Sequence, residues 1–566
     1  MTVKRIHPAL RPVFASYLAA VALAAAPLTS VANEGDEREA TPIQEVLGDV
    51  GDVSFPISCK GDGVQITFDR GVALLHHMTY EVAEREFAKV AKADPTCAMA
   101  HWGIAITLVH PVWAGLPSEE IVSRGAAEIA RARSLPQTDR EAAYIEALGA
   151  FFDDWKDVDH RTRLGRWDKA QTAVREKYPD DDEALALAAV IHIAAASKQD
   201  LEYRFNRDAG ARLESLLARR PRHPGAVHYL IHAYDNPPLA KQALAAARSY
   251  DQIAPEVPHA LHMPTHIFTR LGLWRESVRW NIRSRAAARK LVVDGAIYNE
   301  FGHASDYMSY AYLQMGQDAD AVEARQVLFS AGRIMENFAT AYAYAAVAVR
   351  FELERGDWQR AAEIAPRQPA GFPWDAFAAC ESIVHFARGI GAARTDQLEL
   401  AQESAARLAQ IANALDAGGL SYWSRQTRAQ AAAVAAWIAH AEGDKKKALR
   451  LMGEAAERED ALDKSPVTPG AVLPARELYA EMLGLDGQWQ QALEAYQATL
   501  AISPNRFNSL AGAARAAEGT GDEAAALRYH NRLLEIAGDG KTSRPGLERA
   551  RSYLIAHSRE LDGEMK

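Results

Sequence analysis

The stretch from His223 to Trp274, HPGAVHYLIHAYDNPPLAKQALAAARSYDQIAPEVPHALHMPTHIFTRLGLW, carries six of the chain's 18 histidines. His228 and His262 are 34 residues apart, and so are His232 and His266. Within each pair the step is i to i+4, which puts both rings on one face of a helix. Neutral imidazole is a common protein ligand for zinc, copper and iron. One such pair presents two ligands. A neighbouring helix with the same pair would complete a four-ligand set, with Asp235 as a further ligand or a partner that orients a ring. The glutamate of His-Glu-x-x-His enzymes is absent. Two other readings compete. The histidines are packed, hydrogen-bonded residues, or they line a surface that grips a carboxylate without metal.

Helices with a 34-residue spacing must position these rings. Gly71, Tyr80, Ala83, Phe87 and Pro95 mark one helix–turn–helix unit, and Gly487, Trp489, Ala492, Tyr496 and Pro504 another. Gly521, Ala526 and His530 follow, with Gly487 and Gly521 again 34 apart. Small residues let paired helices touch, aromatics fill the seam, and proline ends the second helix. These positions resemble the tetratricopeptide repeat. The resemblance covers most of the chain and implies an all-α fold, an α/α superhelical solenoid of tetratricopeptide-type helix pairs. The segments CAMAHWG (97–103), His110-Pro111-Val112-Trp113, HYLIHAYDNP (228–237), HMPTHIFTRLGLW (262–274) and Pro504-Asn505-Arg506 further resemble a group of exported bacterial repeat proteins. That likeness implies a fold and no particular reaction.

In the repeat family, positions 2, 5, 9 and 12 of the first helix line a concave groove. Counting the turn glycine as 15, Gly272 places His259, His262 and His266 there, and the preceding unit contributes His228, His232 and Asp235. Gly316 places His303, Asp306 and Tyr310 at the same positions. The resemblance therefore implies a His/Asp cluster local to three units. Pro264 interrupts the middle helix: either it kinks there, or it begins there with His259 and His262 in the preceding turn. His76 and His110, also 34 apart, sit at the groove edge, and superhelical curvature is their route to the cluster. Glu477 and Arg506 line another part of the groove or make ordinary ion pairs.

The chain has 566 residues, 48% hydrophobic and 24% charged, with net charge −10. Nothing points to nucleic acid. Lys4, Arg5 and Arg11, an apolar run from Val13 to Leu28 and Ser30-Val31-Ala32 read as a signal segment (1–32) cleaved near Ala32. The expected compartment is the periplasm or the exterior, with no membrane span left after cleavage. An N-terminal extended segment (33–66) would precede repeats at 67–370, containing the His-rich groove, at 371–464 and at 465–566. Pro/Gly-rich breaks at 366–373 and 465–474 read as joints. In an oxidising compartment Cys59 and Cys97 are expected to pair; three buried thiols are the alternative. No phosphate loop, Gly-x-Ser-x-Gly or dinucleotide fingerprint occurs. Two functions remain: a solenoid binding a protein, peptide or small ligand in its groove, or a zinc- or copper-dependent protein using His228, His232, His262 and His266.

Overall fold

Apolar residues recur at three- and four-residue steps through nearly the whole chain, and short amphipathic helices result. In the helix Tyr80–Ala93, Tyr80, Ala83, Phe87 and Val90 are buried along one stripe. The computed structural model describes residues 46–112, 116–538, 542 and 544–564. The expected signal segment and Trp113 lie outside the described residues. Each helix packs on the next along the chain, forming an all-α solenoid of tetratricopeptide-type helix pairs. Among the described residues the strands are one short antiparallel pairing, Val292–Val293 with Ala296–Ile297. No described helix is long and apolar enough to cross a membrane. Cys59 and Cys97 are joined by a disulfide, their Cα atoms 5.0 Å apart.

The expected turn glycines close the helix pairs. Between Pro264–Arg270 and Trp274–Lys290, Gly272 has φ +64°. A Cβ there would lie 2.3 Å from the Pro504 carbonyl oxygen, so this turn admits only glycine. The coil also folds over itself. The helix Val64–His76 packs on Pro224–Tyr234, and Glu300–Gln314 on Phe507–Thr520.

That curvature buries the central helices. Every residue of Pro224–Tyr234, Pro258–His262 and Pro264–Arg270 is buried, unlike helices that line an open groove. The covering piece is the Pro/Gly-rich segment 465–474, which the sequence suggests is a joint. Tyr307 Oη shares its one proton between the carbonyls of Pro466 (3.0 Å) and Thr468 (3.1 Å). Arg350 donates to those of Gly470 (2.9 Å) and Ala471 (3.0 Å). The segment is a strap tied across the inside of the coil.

Candidate metal centre

His223 caps the helix Pro224–Tyr234, its Nδ1 accepting from the Ala226 N–H at 3.1 Å, and Pro224 starts it. One turn in, His228 and His232 lie side by side, ring centroids 4.8 Å apart and tilted by 31°. On the next unit the helix kinks at Pro264, the first of the two alternatives, with Pro258–His262 before the kink and Pro264–Arg270 after it. Met263 nevertheless keeps helical angles, φ −50° and ψ −40°, so His262 and His266 still share a face. Their Nε2 atoms are 3.1 Å apart. His303, on Glu300–Gln314, lies 4.2 Å from the His262 ring.

The four-ligand set expected from the two pairs is corrected by this geometry. Each pair instead takes a third ring. His228, His232 and His259 form one triad and His262, His266 and His303 another, with the ligand atoms of each within 4.8 Å of one another. The triads adjoin: His232 and His266 are 6.0 Å apart, as are His259 and His262. All six rings are buried, His232 the most exposed at 9%.

The partners of these rings assign their protons. His228 Nδ1 donates to the His76 carbonyl at 2.5 Å, and His259 Nδ1 to Glu300 at 2.6 Å. His262 Nδ1 donates to Asn281 Oδ1 at 2.8 Å, an orientation set by Asn281 Nδ2 donating to the Ser277 carbonyl. His266 Nδ1 donates to Asp235 at 2.9 Å. A neutral imidazole has one N–H, so in the His228, His262 and His266 rings Nε2 carries a lone pair. Burial holds His228, His232, His262 and His303 well below the usual histidine range, and His266 at about 4 against the pull of Asp235. These five rings are therefore neutral. His228 Nε2 and His232 Nε2 are buried with no hydrogen-bond partner among the described residues. A cavity of about 20 Å³ lies among His232, His259, His266 and His303.

Carboxylates surround the rings and do not enter the triads. Burial alone would raise Asp235, but Lys464 (2.8 Å) and Arg270 (2.9 Å) hold it well below the usual carboxylate range. It is thus an orienting partner of His266. Asp306, expected in the cluster, is not there. His303 and Tyr307 share the stripe facing His262, whereas Asp306 and Tyr310 lie on the adjacent stripe facing the helix Phe338–Arg355. There Asp306 meets Arg350 at 3.1 Å, and burial lifts its carboxyl to about 6 despite that guanidinium. Tyr310, Glu477 and Arg506 belong to one buried ion network rather than an open groove. Arg506 lies between Glu354 (2.7 Å) and Glu477 (2.8 Å), with Tyr310 Oη at 3.3 Å.

His76 reaches the site through its carbonyl only; its ring pairs with Glu183 at 2.6 Å and with Tyr229. His76, Glu183 and His223 also lie close enough to hold an ion. Both Glu183 oxygens, however, already bond to those rings, which makes this set a closed hydrogen-bonded cluster. His110 stacks on Tyr80, 4.0 Å between centroids, away from both triads. Sequence reasoning missed Glu300, Asn281, Tyr307 and Lys464. Only Tyr307 carried a local signal, standing four residues after His303.

No family model matches the chain, and no curated protein matches it. Among solved structures it is similar to Naa15/Naa10 bound to HypK-THB, with 13% identity over 84% of this chain and 75% of that one, TM-score 0.22. It is also similar to the human IFIT1 dimer with m7Gppp-AAAA, with 12% identity over 85% and 96% of the two chains, TM-score 0.34. At these scores neither likeness bears on the site. The class of the protein, an all-α repeat solenoid enclosing two buried histidine triads, rests on its own geometry.

Proposed function

We propose that the protein binds metal, holding two ions of the zinc or copper class, one in each histidine triad. The observation that carries this reading is the contact between His262 and His266. Both rings spend their N–H on Nδ1, so two lone pairs face each other at 3.1 Å. Such a contact is repulsive when empty. Two nitrogens bound about 2.0–2.1 Å from one ion in a tetrahedral site stand roughly 3.3 Å apart, close to what is seen. Asn281, Asp235, Glu300 and the His76 carbonyl act as the outer partners that orient metal-bound histidines. Three protein ligands leave each ion a coordination position for water or a small ligand, as in catalytic sites. A metal so held supplies Lewis acidity, or redox chemistry if it is copper.

Elemental mass spectrometry of the chain from about Asn33, without a histidine tag, tests this. About two equivalents of zinc or copper are expected. One should be lost in His228→Ala/His232→Ala and one in His266→Ala/His303→Ala, with helical circular dichroism kept. No metal retained after loading and mild washing would sink the proposal.

A second reading has its own observation. A cavity of about 210 Å³ on the other side of the strap is lined by Trp274, Tyr310, Tyr342, Trp423 and Arg476. Its size and aromatic walls suit a small molecule rather than a peptide. A rise in melting temperature with an aromatic ligand, abolished in Tyr342→Ala, would support it. No ligand found in a broad thermal-shift screen would remove it.

A further inference from the structure

Two small cavities meet at His232. The inner one, about 20 Å³, lies among the triads. The outer one, about 30 Å³, is bounded by Lys198, Asp200, Asn206, Asp235, Asp463 and Lys464. Both cavities are lined by Val112, His232 and Pro466, which form the neck between them. At the outer end Lys198 is exposed. At the inner end His232 is the most exposed of the six rings, at 9%, and its Nε2 is buried without a hydrogen-bond partner among the described residues.

We infer that this passage admits a small lone-pair donor of two or three atoms, of the dioxygen, peroxide or azide class, to the open position of the metal on the His228/His232/His259 triad. The inference rests on the metal reading above. Size sets the class. One water needs roughly 10–15 Å³ of such space, so the inner cavity holds one or two water-sized atoms and the outer two or three, and a sugar, peptide or aromatic ring is excluded. Charge agrees. The passage acids already have partners: Asp235 with Lys464 and Arg270, Asp463 with Arg270 at 2.8 Å, and Asp200 with the Arg204 N–H at 3.1 Å. What remains is a compensated polar lining that a neutral molecule or small anion can traverse.

The test uses the full chain loaded with Cu(II) and azide as probe, followed by its charge-transfer absorption. A saturable azide band is expected, with no spectral change on adding imidazole. Val112→Phe, which narrows the neck, should keep the copper content and slow azide binding at least tenfold; Val112→Ala should speed it. Should Val112→Phe not fold, Val112→Ala carries the test, and an unchanged azide rate in it overturns the inference. A copper-loaded wild type with no azide band, or one that binds imidazole equally well, overturns it while leaving the metal reading intact. A chain that takes up no copper overturns both.

Discussion

At the scale of single residues, the rings are governed by what holds their far nitrogens. Removing an outer partner frees a ring to rotate, which typically costs 10–100-fold in metal affinity. Glu300→Ala should do this at His259, which Glu300 holds at 2.6 Å. A competitive chelator titration should show one of the two ions weakened and the other unchanged. Burial also makes the fold acid-sensitive through a histidine outside the triads. It pushes His77, fully buried, down to about 3, outweighing its bond to the Val50 carbonyl. The unfolded chain protonates such groups near 6.5, before the folded chain does. Stability from His77 is therefore full above about pH 6.5 and is lost as pH falls towards 3, by about 1.4 kcal/mol per pH unit. Denaturant midpoints of the metal-free protein between pH 7 and 4 should fall accordingly; a flat profile would contradict the burial of the His77 ring.

Turns and straps decide more than helix propensity at the scale of elements. The helix kink at Pro264 leaves His262 and His266 on one face while freeing His259 to join the neighbouring triad. Gly272 holds the following turn in a left-handed conformation against the Pro504 carbonyl. Gly272→Ala should therefore destabilise by about 1–3 kcal/mol, read as a lower denaturant midpoint. The same change at Gly453, which lies mid-helix and whose Cβ would stand 3.7 Å from Tyr479 in ordinary contact, should be nearly neutral or slightly stabilising.

The whole molecule is held closed by long-range ties rather than by neighbour packing alone. The disulfide Cys59–Cys97 closes a loop over a separation of 38 residues and anchors the N-terminal extended segment. Its own segment reaches the core: Phe55 is fully buried against Phe68 and Tyr144. Cys59→Ser/Cys97→Ser should lower stability by about 2–4 kcal/mol, measured by chemical denaturation. No loss would mean that the segment is held by Phe55 and its hydrogen bonds alone. Arg506 is a second tie, joining Glu354 of the middle repeats to Glu477 of the later ones. Removing one partner of a buried pair leaves an uncompensated charge, which is costlier than the pair is stabilising.

The sequence alone determined the repeat and the facing of the histidines, because both depend on local period. Gly487, Trp489, Ala492, Tyr496 and Pro504 mark a helix pair wherever they occur at that spacing, and His228 and His232 share a face by helical geometry alone. Which rings meet was decided only in three dimensions. The grouping of His259 with His228 depends on a kink and on the stagger of neighbouring helices, and neither is written in spacing. Asp306 left the cluster because Arg350, 44 residues on, claimed its stripe. The expected open groove became a closed centre because a strap some 200 residues later in the chain folds across it, secured by Tyr307 and Arg350. Local period sets which face a side chain takes; superhelical curvature and long-range packing set what that face meets.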